Sequence, residues 1–278
     1  MSEPAVRVGQ DWLALREGAD AAARAPDLVE ILRTWAAAWV IHDLGAGTGA
    51  MGRWLAPQLP GPQHWLLHDR DTDLLEVATR DLPDGAGVTV AVRDSELTQL
   101  HAGDFADATL ITASALLDML TAAELDALVT ACAGAGCPVL LALTVVGRVS
   151  LDPCERLDSR LAAAFNAHQR RVTPRGRLLG PDAVTAAVDA FRRRSLEPVV
   201  RPSPWRLGPD QRDLAAAWLR GWVTAACEQE GALAGEAASY VRRRLAQAQA
   251  GQLAVTVDHA DLLVLPADQS ASKRGESA

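Results

Sequence analysis

The stretch that most constrains this chain runs from Val40 through His42-Asp43-Leu44-Gly45-Ala46-Gly47-Thr48-Gly49 to Gly52. The apolar run from Trp39 to Ile41 reads as a short buried strand of the continuous kind found in parallel sheets. It closes on an acid, places glycine at every second position, and enters a helical pattern from Met51 to Leu59. Strand, glycine turn and helix in that order bring backbone N–H groups close to a ligand at the open edge of an α/β sheet. Glycine suits such a turn because it has no Cβ to block a ligand and adopts positive φ at little cost.

Four further strand patterns follow at alternating intervals: His64–His68, Val88–Val92, Ala108–Ala113 and Val139–Val146, with helical patterns between them. Five strands alternating with helices over residues 38–147 predict a doubly wound parallel sheet. Before it, Gln10–Arg24 and Pro26–Trp35 read as two helices. After it come Arg-rich amphipathic helices over Leu151–Arg171 and Pro181–Arg194, joined by a turn at 173–177. A sixth strand is expected around 196–202, then an aromatic loop at Pro204–Leu207. Long helices over Asp210–Glu230 and Ala232–Gln249 precede a last strand, Leu253–Leu265, broken near His259-Ala260-Asp261. The polar residues from Pro266 are expected to be disordered.

Net charge is −8, and of 27 basic residues only Lys273 is a lysine. Such a chain has no general basic field for a phosphate backbone, which argues against a nucleic-acid substrate. No apolar run has membrane-spanning length and Met1-Ser2-Glu3-Pro4 is no signal sequence, so a cytoplasmic protein without membrane association is expected. Cys132, Cys137, Cys154 and Cys227 form no Cys-x-x-Cys pair and have no His-rich neighbour, so they read as free thiols and no metal is expected.

As bare patterns, Gly45-x-Gly47-x-x-Ala50 and Gly47-x-Gly49-x-x-Gly52 both fit the dinucleotide fingerprint. Asp43 separates the alternatives. A carboxylate beneath the turn would repel a pyrophosphate and attract a ligand with a cationic amino-acid group. Asp43, Gly45, Gly47 and Gly49 resemble motif I, Asp-x-Gly-x-Gly-x-Gly, of the class I S-adenosylmethionine (SAM)-dependent methyltransferases. The segment Leu67-His68-Asp69-Arg70-Asp71 resembles their motif II.

The resemblance covers 38–147 through motifs and the rest through strand order. It implies a seven-stranded Rossmann-like sheet whose last strand inserts antiparallel beside the fifth. It also implies a helical lid over residues 1–37, a cofactor-binding core over 38–147, and a C-terminal part over 148–265 with substrate-shaping helices. SAM would lie against Asp43, Gly45, Ala46, Gly47 and Gly49. Asp69 would hold the ribose hydroxyls and Arg70 would flank the adenine. Asp94 would accept from the adenine amino group beside Ser95, Thr112 and Ala113 would pass beneath the methionine part, and Arg16 would reach its carboxylate unless it is merely a solvated helix-face residue. Asp118 would border the substrate. The Asn-Pro-Pro-Tyr motif of enzymes that methylate nucleobase or protein amino groups is replaced here by Thr112-Ala113-Ser114-Ala115. The chain looks like a bacterial enzyme that methylates O or N of a small molecule.

No general base stands out. His168 is the one candidate in the insertion after the fifth strand, weighed against a surface histidine among arginines. Trp205 offers a stacking face for a planar acceptor if its loop folds over the cleft. His42, His259, Trp218 and Trp222 read more simply as structural residues. Three alternatives stay open: an NAD(P)-dependent oxidoreductase, a SAM-binding relic without catalysis, and an RNA methyltransferase. The first lacks a Tyr-x-x-x-Lys pair, and its cofactor would have to sit over Asp43.

Overall fold

The computed structural model describes residues 9–82 and 87–267; the tail expected to be disordered lies, from residue 268 on, outside the described residues. Two helices lead: α1 (Gln10–Ala23) and α2 (Pro26–Leu32). The first half then alternates β1 (Trp39–Leu44), α3 (Ala50–Leu55), β2 (Gln63–Asp69), α4 (Thr72–Asp81), β3 (Val88–Asp94), β4 (Leu110–Ser114), α5 (Ala122–Gly134) and β5 (Val139–Asp152). The second half comprises α6 (Arg156–Gln169), a hairpin of β6 (Val172–Thr173) and β7 (Gly176–Arg177), α7 (Ala183–Arg192), β8 (Val199–Pro202) and β9 (Trp205–Leu207). It ends with α8 (Arg212–Gln229), α9 (Ala234–Gln249) and β10 (Ala254–Val264).

The main sheet has eight strands in the order β3-β2-β1-β4-β5-β10, with β8 and β9 both paired to the outer edge of β10. Ser203 and Pro204 divide what is one sheet position into two strands, so the sheet is seven positions wide. β1 to β5 run parallel, and β10 lies antiparallel between β5 and β8. The doubly wound expectation is met, and the aromatic loop expected at Pro204–Leu207 is corrected: Trp205–Leu207 is a strand, because its N–H groups find a free edge on β10.

Three cores cover the sheet. Leu28, Leu32, Met51, Leu55 and Leu75 pack with Trp39, Ile41, Trp65 and Leu67 on one face. Leu125, Val129, Ala187 and Phe191 from α5 and α7 pack on the other with Ile111, Val139 and Leu141. The third core, with Trp205, Trp218, Trp222 and Tyr240, lies under the extended ends of β5 and β10. The length of β10 matches the expected Leu253–Leu265, whereas the far end of β5 was not foreseen. β5 continues six residues past Val146 because β10 pairs with it as far as Asp152. The interruption expected near His259-Ala260-Asp261 is real: register shifts fall between Val257 and His259 and between Ala260 and Leu262.

Local signals explain several element starts. Thr121 and Glu124 form a capping box that begins α5, each side chain satisfying the other's backbone N–H. Asp71 caps α4 by accepting from Asp73 N.

One carboxylate ties the two ends of the described chain together. Asp261 of β10 is buried and accepts three hydrogen bonds: from Leu143 N and Ser203 Oγ at Oδ1, and from Ala25 N at Oδ2. It thus holds the α1–α2 junction, the edge-strand break and Leu143, whose φ of 56° is costly for a branched side chain. Burial raises its carboxyl pKa, with those donors and Arg24 opposing.

Candidate functional site

Strand order reverses at β1, whose neighbours β2 and β4 lead the chain to opposite sides. Crevices at such a reversal, beyond the carboxyl ends of the strands, are where α/β sheets take ligands. A cleft of about 520 Å³ opens there, within the usual range for small-molecule sites.

The glycine turn forms one wall. Gly45 N and Ala46 N both donate to His68 O, and Gly47 N donates to Asp69 Oδ2 at 2.9 Å. Gly45, Gly47 and Gly49 all have positive φ. Gly49 does not line the cleft: a Cβ there would come within 2.8 Å of Leu82 Cδ1 and 3.1 Å of Ala78 Cβ. Its role is to bring α3 against α4. Gly49→Ala is therefore expected to cost about 2–4 kcal/mol from overpacking and a left-handed alanine, read as a lower urea midpoint.

The floor carries ionisable, buried side chains. Asp43 Oδ1 accepts from Thr112 Oγ1 at 2.7 Å, while Oδ2 is buried with no partner among the described residues. Burial pushes the Asp43 carboxyl up to about 7, with the Thr112 bond and Arg24 opposing. Arg24, only 3% exposed, donates to Ser114 Oγ and stacks over Trp54, but its Nε has no hydrogen-bond partner among the described residues. Burial also lowers the Arg24 pKa, against the opposing charges of Asp20, Asp261 and Asp43. Arg16 forms a bidentate pair with Asp20, whose Oδ1 also accepts from Trp205 Nε1. Arg24 and Asp20 escaped the sequence reading. They look like ordinary polar positions of a helix, and only tertiary packing turns them inward.

α1 closes one side. Glu17 grips Arg53 of α3 through two bonds of 2.7 Å, and Leu13 Cδ1 would lie 3.4 Å from a Cβ on Gly47.

Several expected residues meet here: Arg16, Asp43, Gly45, Ala46, Gly47, Asp69, Arg70 and Ser95 all line the cleft. Others do not. Asp94 is the last residue of β3 and points outward into solvent; Ser95, Glu96 and Leu97 line the cleft instead. The strand runs two residues further than its apolar pattern, which shifts the turn by one position. Thr112 and Ala113 are buried within the sheet, beneath the cleft, and the lining from this strand falls to Ser114, Ala115 and Leu116.

Asp118 sits half-buried in a short turn between the lining residues Leu116 and Met119. Burial pushes its carboxyl up to about 6, opposed by Arg16 and Arg171. His168 lies away from the cleft, its Nε2 3.2 Å from Glu228 Oε2 on α8. Trp205 is buried behind α1, against Trp12 and His259 with the Arg16 guanidinium over its ring, so it anchors the helix and has no free face for an acceptor. The helices of 148–195 and 204–249 do not shape the cleft; from them only the β6–β7 hairpin reaches it, through Arg175.

Behind the turn, His42 and His68 stack at 5.1 Å with His42 Nδ1 3.0 Å from His68 Nε2. His42 Nε2 is 3.3 Å from Asp107 Oδ1, and His68 Nδ1 is 3.2 Å from Ser95 Oγ. Phe105 seals both rings edge-on. Burial lowers both imidazoles, that of His68 to about 4, with Asp107 opposing the shift at His42.

No protein-family model matches the chain, and no curated protein matches its sequence. Comparison of structures finds a putative methyltransferase from Bacillus halodurans at 10% identity, covering 86% of this chain and 97% of that one with a TM-score of 0.47. The cyclopropane synthase MmaA2 from Mycobacterium tuberculosis aligns at 12% identity over 86% of this chain and 81% of its own, with a TM-score of 0.46. Phosphoethanolamine N-methyltransferase 2 from Haemonchus contortus aligns at 15% identity over 87% of this chain but 53% of its own length, with a TM-score of 0.44. No helix of the described residues is long and apolar enough to cross a membrane.

Proposed function

We propose that this chain is a SAM-dependent methyltransferase acting on an oxygen or nitrogen of a small molecule. The observation that carries the reading is the cleft floor, where Oδ2 of Asp43 and Nε of Arg24, both without a hydrogen-bond partner among the described residues, belong to side chains lining one cavity. Buried polar atoms left without a hydrogen bond are costly and ask for a complement. A ligand with both an ammonium and a carboxylate supplies one; a pyrophosphate over Asp43 does not.

In this reading Asp43 faces the amino group of the methionine part, and Arg24 with Arg16 faces its carboxylate. Asp69 already accepts from Gly47 N and Asp71 N, and its remaining lone pairs take the ribose hydroxyls. Leu74 and Leu97 flank the base with Arg70. The cofactor supplies a methyl carbon already activated by a positive sulfur, so the protein's main task is to hold the acceptor in line with it. Leu13, Leu116, Met119 and Leu120 give that acceptor an apolar bed beside Arg175. Asp118, in the turn between Leu116 and Met119, is the carboxylate that borders the acceptor at this end. The helical segment over residues 9–32 serves as the cover of the cleft.

Calorimetric titration with S-adenosylhomocysteine, NAD and NADP in parallel tests this. Micromolar binding of the sulfur nucleoside alone is the expected result, and it justifies an acceptor screen. Binding of a nicotinamide nucleotide instead would overturn the reading.

A further inference from the structure

The buried histidine pair has a direction. Asp107 lies open to water, with its side chain 67% exposed, and an ionised carboxylate only accepts hydrogen bonds. His42 therefore donates to it from Nε2. A neutral imidazole has one N–H, so His42 Nδ1 must accept, and the group within reach is His68 Nε2 at 3.0 Å. His68 then donates through Nε2 and accepts at Nδ1, where Ser95 Oγ stands at 3.2 Å. The Ser95 proton is committed to that bond. What its oxygen presents to the cleft is lone pairs alone.

We propose that the Asp107–His42–His68–Ser95 chain fixes Ser95 as a hydrogen-bond acceptor, selecting a purine with a 6-amino group over one with a 6-oxo group. The inference rests on the cofactor reading above. Within that reading Ser95, Glu96 and Leu97 stand at the base end, beside Asp69, whose backbone oxygen accepts from Ser95 N. An exocyclic amino group donates to Ser95 Oγ. A 6-oxo group would face it lone pair to lone pair, and the serine cannot turn its proton outward without reversing both histidine tautomers and setting His42 Nε2 against the Asp107 carboxylate. Asp107 thus acts from the surface as a positioning residue, three hydrogen bonds from the cleft.

Two measurements on the full chain test it. Long-range proton–nitrogen correlation spectra of the ligand-free protein at pH 7.5 (about one unit above the ordinary imidazole pKa) should show His42 and His68 both protonated at Nε2. An Nδ1-protonated His68 would overturn the proposal without touching the cofactor reading.

Calorimetry then compares S-adenosylhomocysteine with its 6-oxo analogue, S-inosylhomocysteine. The wild type should prefer the amino nucleoside by about tenfold or more, the effect of one matched against one opposed hydrogen bond. Ser95→Ala should bring the ratio close to one. Asp107→Asn, whose amide can face His42 with either its oxygen or its nitrogen, should lower the ratio several-fold. Equal binding of the two nucleosides by the wild type, or a ratio undiminished in Ser95→Ala, would overturn the proposal alone, the second result placing the discrimination on Glu96. Binding of neither would overturn the cofactor reading and the proposal with it.

Discussion

At pH 8 the Asp43→Asn variant should melt at a higher temperature than the wild type while binding S-adenosylhomocysteine about a hundredfold more weakly, the loss of one buried charge-assisted contact. Both effects come from the same carboxylate. Burial holds its pKa at about 7, against about 3.9 in an unfolded chain. Between those values the folded protein keeps a proton that the unfolded chain has released. The group's contribution to stability is therefore fully present below pH about 4, declines as pH rises, and is lost above about 7. An asparagine can still accept from Thr112 and never carries the charge, so its advantage should be near zero at pH 4 and largest at pH 8. Calorimetric melting of both proteins across that range checks the prediction. A parallel decline in both proteins would mean that Asp43 is not the group that titrates. Ligand binding adds a second signature: a cationic ammonium at Oδ2 should draw the proton off, so titrations at pH 6 should release protons to the buffer in the wild type only.

Asp261→Ala should destabilise the chain by about 3–5 kcal/mol, as expected when one buried carboxylate leaves several donors unpaired. Leu143 N, Ser203 Oγ and Ala25 N lose their acceptor together, and Leu143 loses what holds it at positive φ. The urea midpoint should fall with an unchanged slope if folding remains two-state. Amide exchange should quicken first at Ala25 and Leu143. Loss of stability with those amides still protected would put the effect elsewhere in β10.

What could be read from the sequence was local. Gly45 and Gly47, Asp43 beneath them and Asp69 one strand away are set by spacing and chain direction, and each lies in the cleft. The errors have two physical sources. Asp94 was misplaced by one residue because backbone pairing with β2 carries β3 past its apolar pattern. Trp205 and His168 were misread because the sequence shows residue type but not what packs against it; a tryptophan after Pro204 looks like a loop until the free edge of β10 claims it. The Asp107–His42–His68–Ser95 chain left no signal at all, since its members come from four segments that only the sheet brings together.

The insertion of β10 between β5 and β8 has a consequence for synthesis. While the chain emerges from the ribosome, β1 to β5 can pair as soon as they are made, but the outer edge of β5 stays unpartnered until some hundred further residues have been translated. α1, which precedes β1, must likewise wait: its supports include Trp205 on β9, and the junction that follows it is held by Asp261 on β10. An apolar edge exposed for that long invites pairing with neighbouring chains. Yield of active protein in cells should therefore depend on translation speed and chaperone supply through this late half, more than on the resistance of the finished molecule to denaturant.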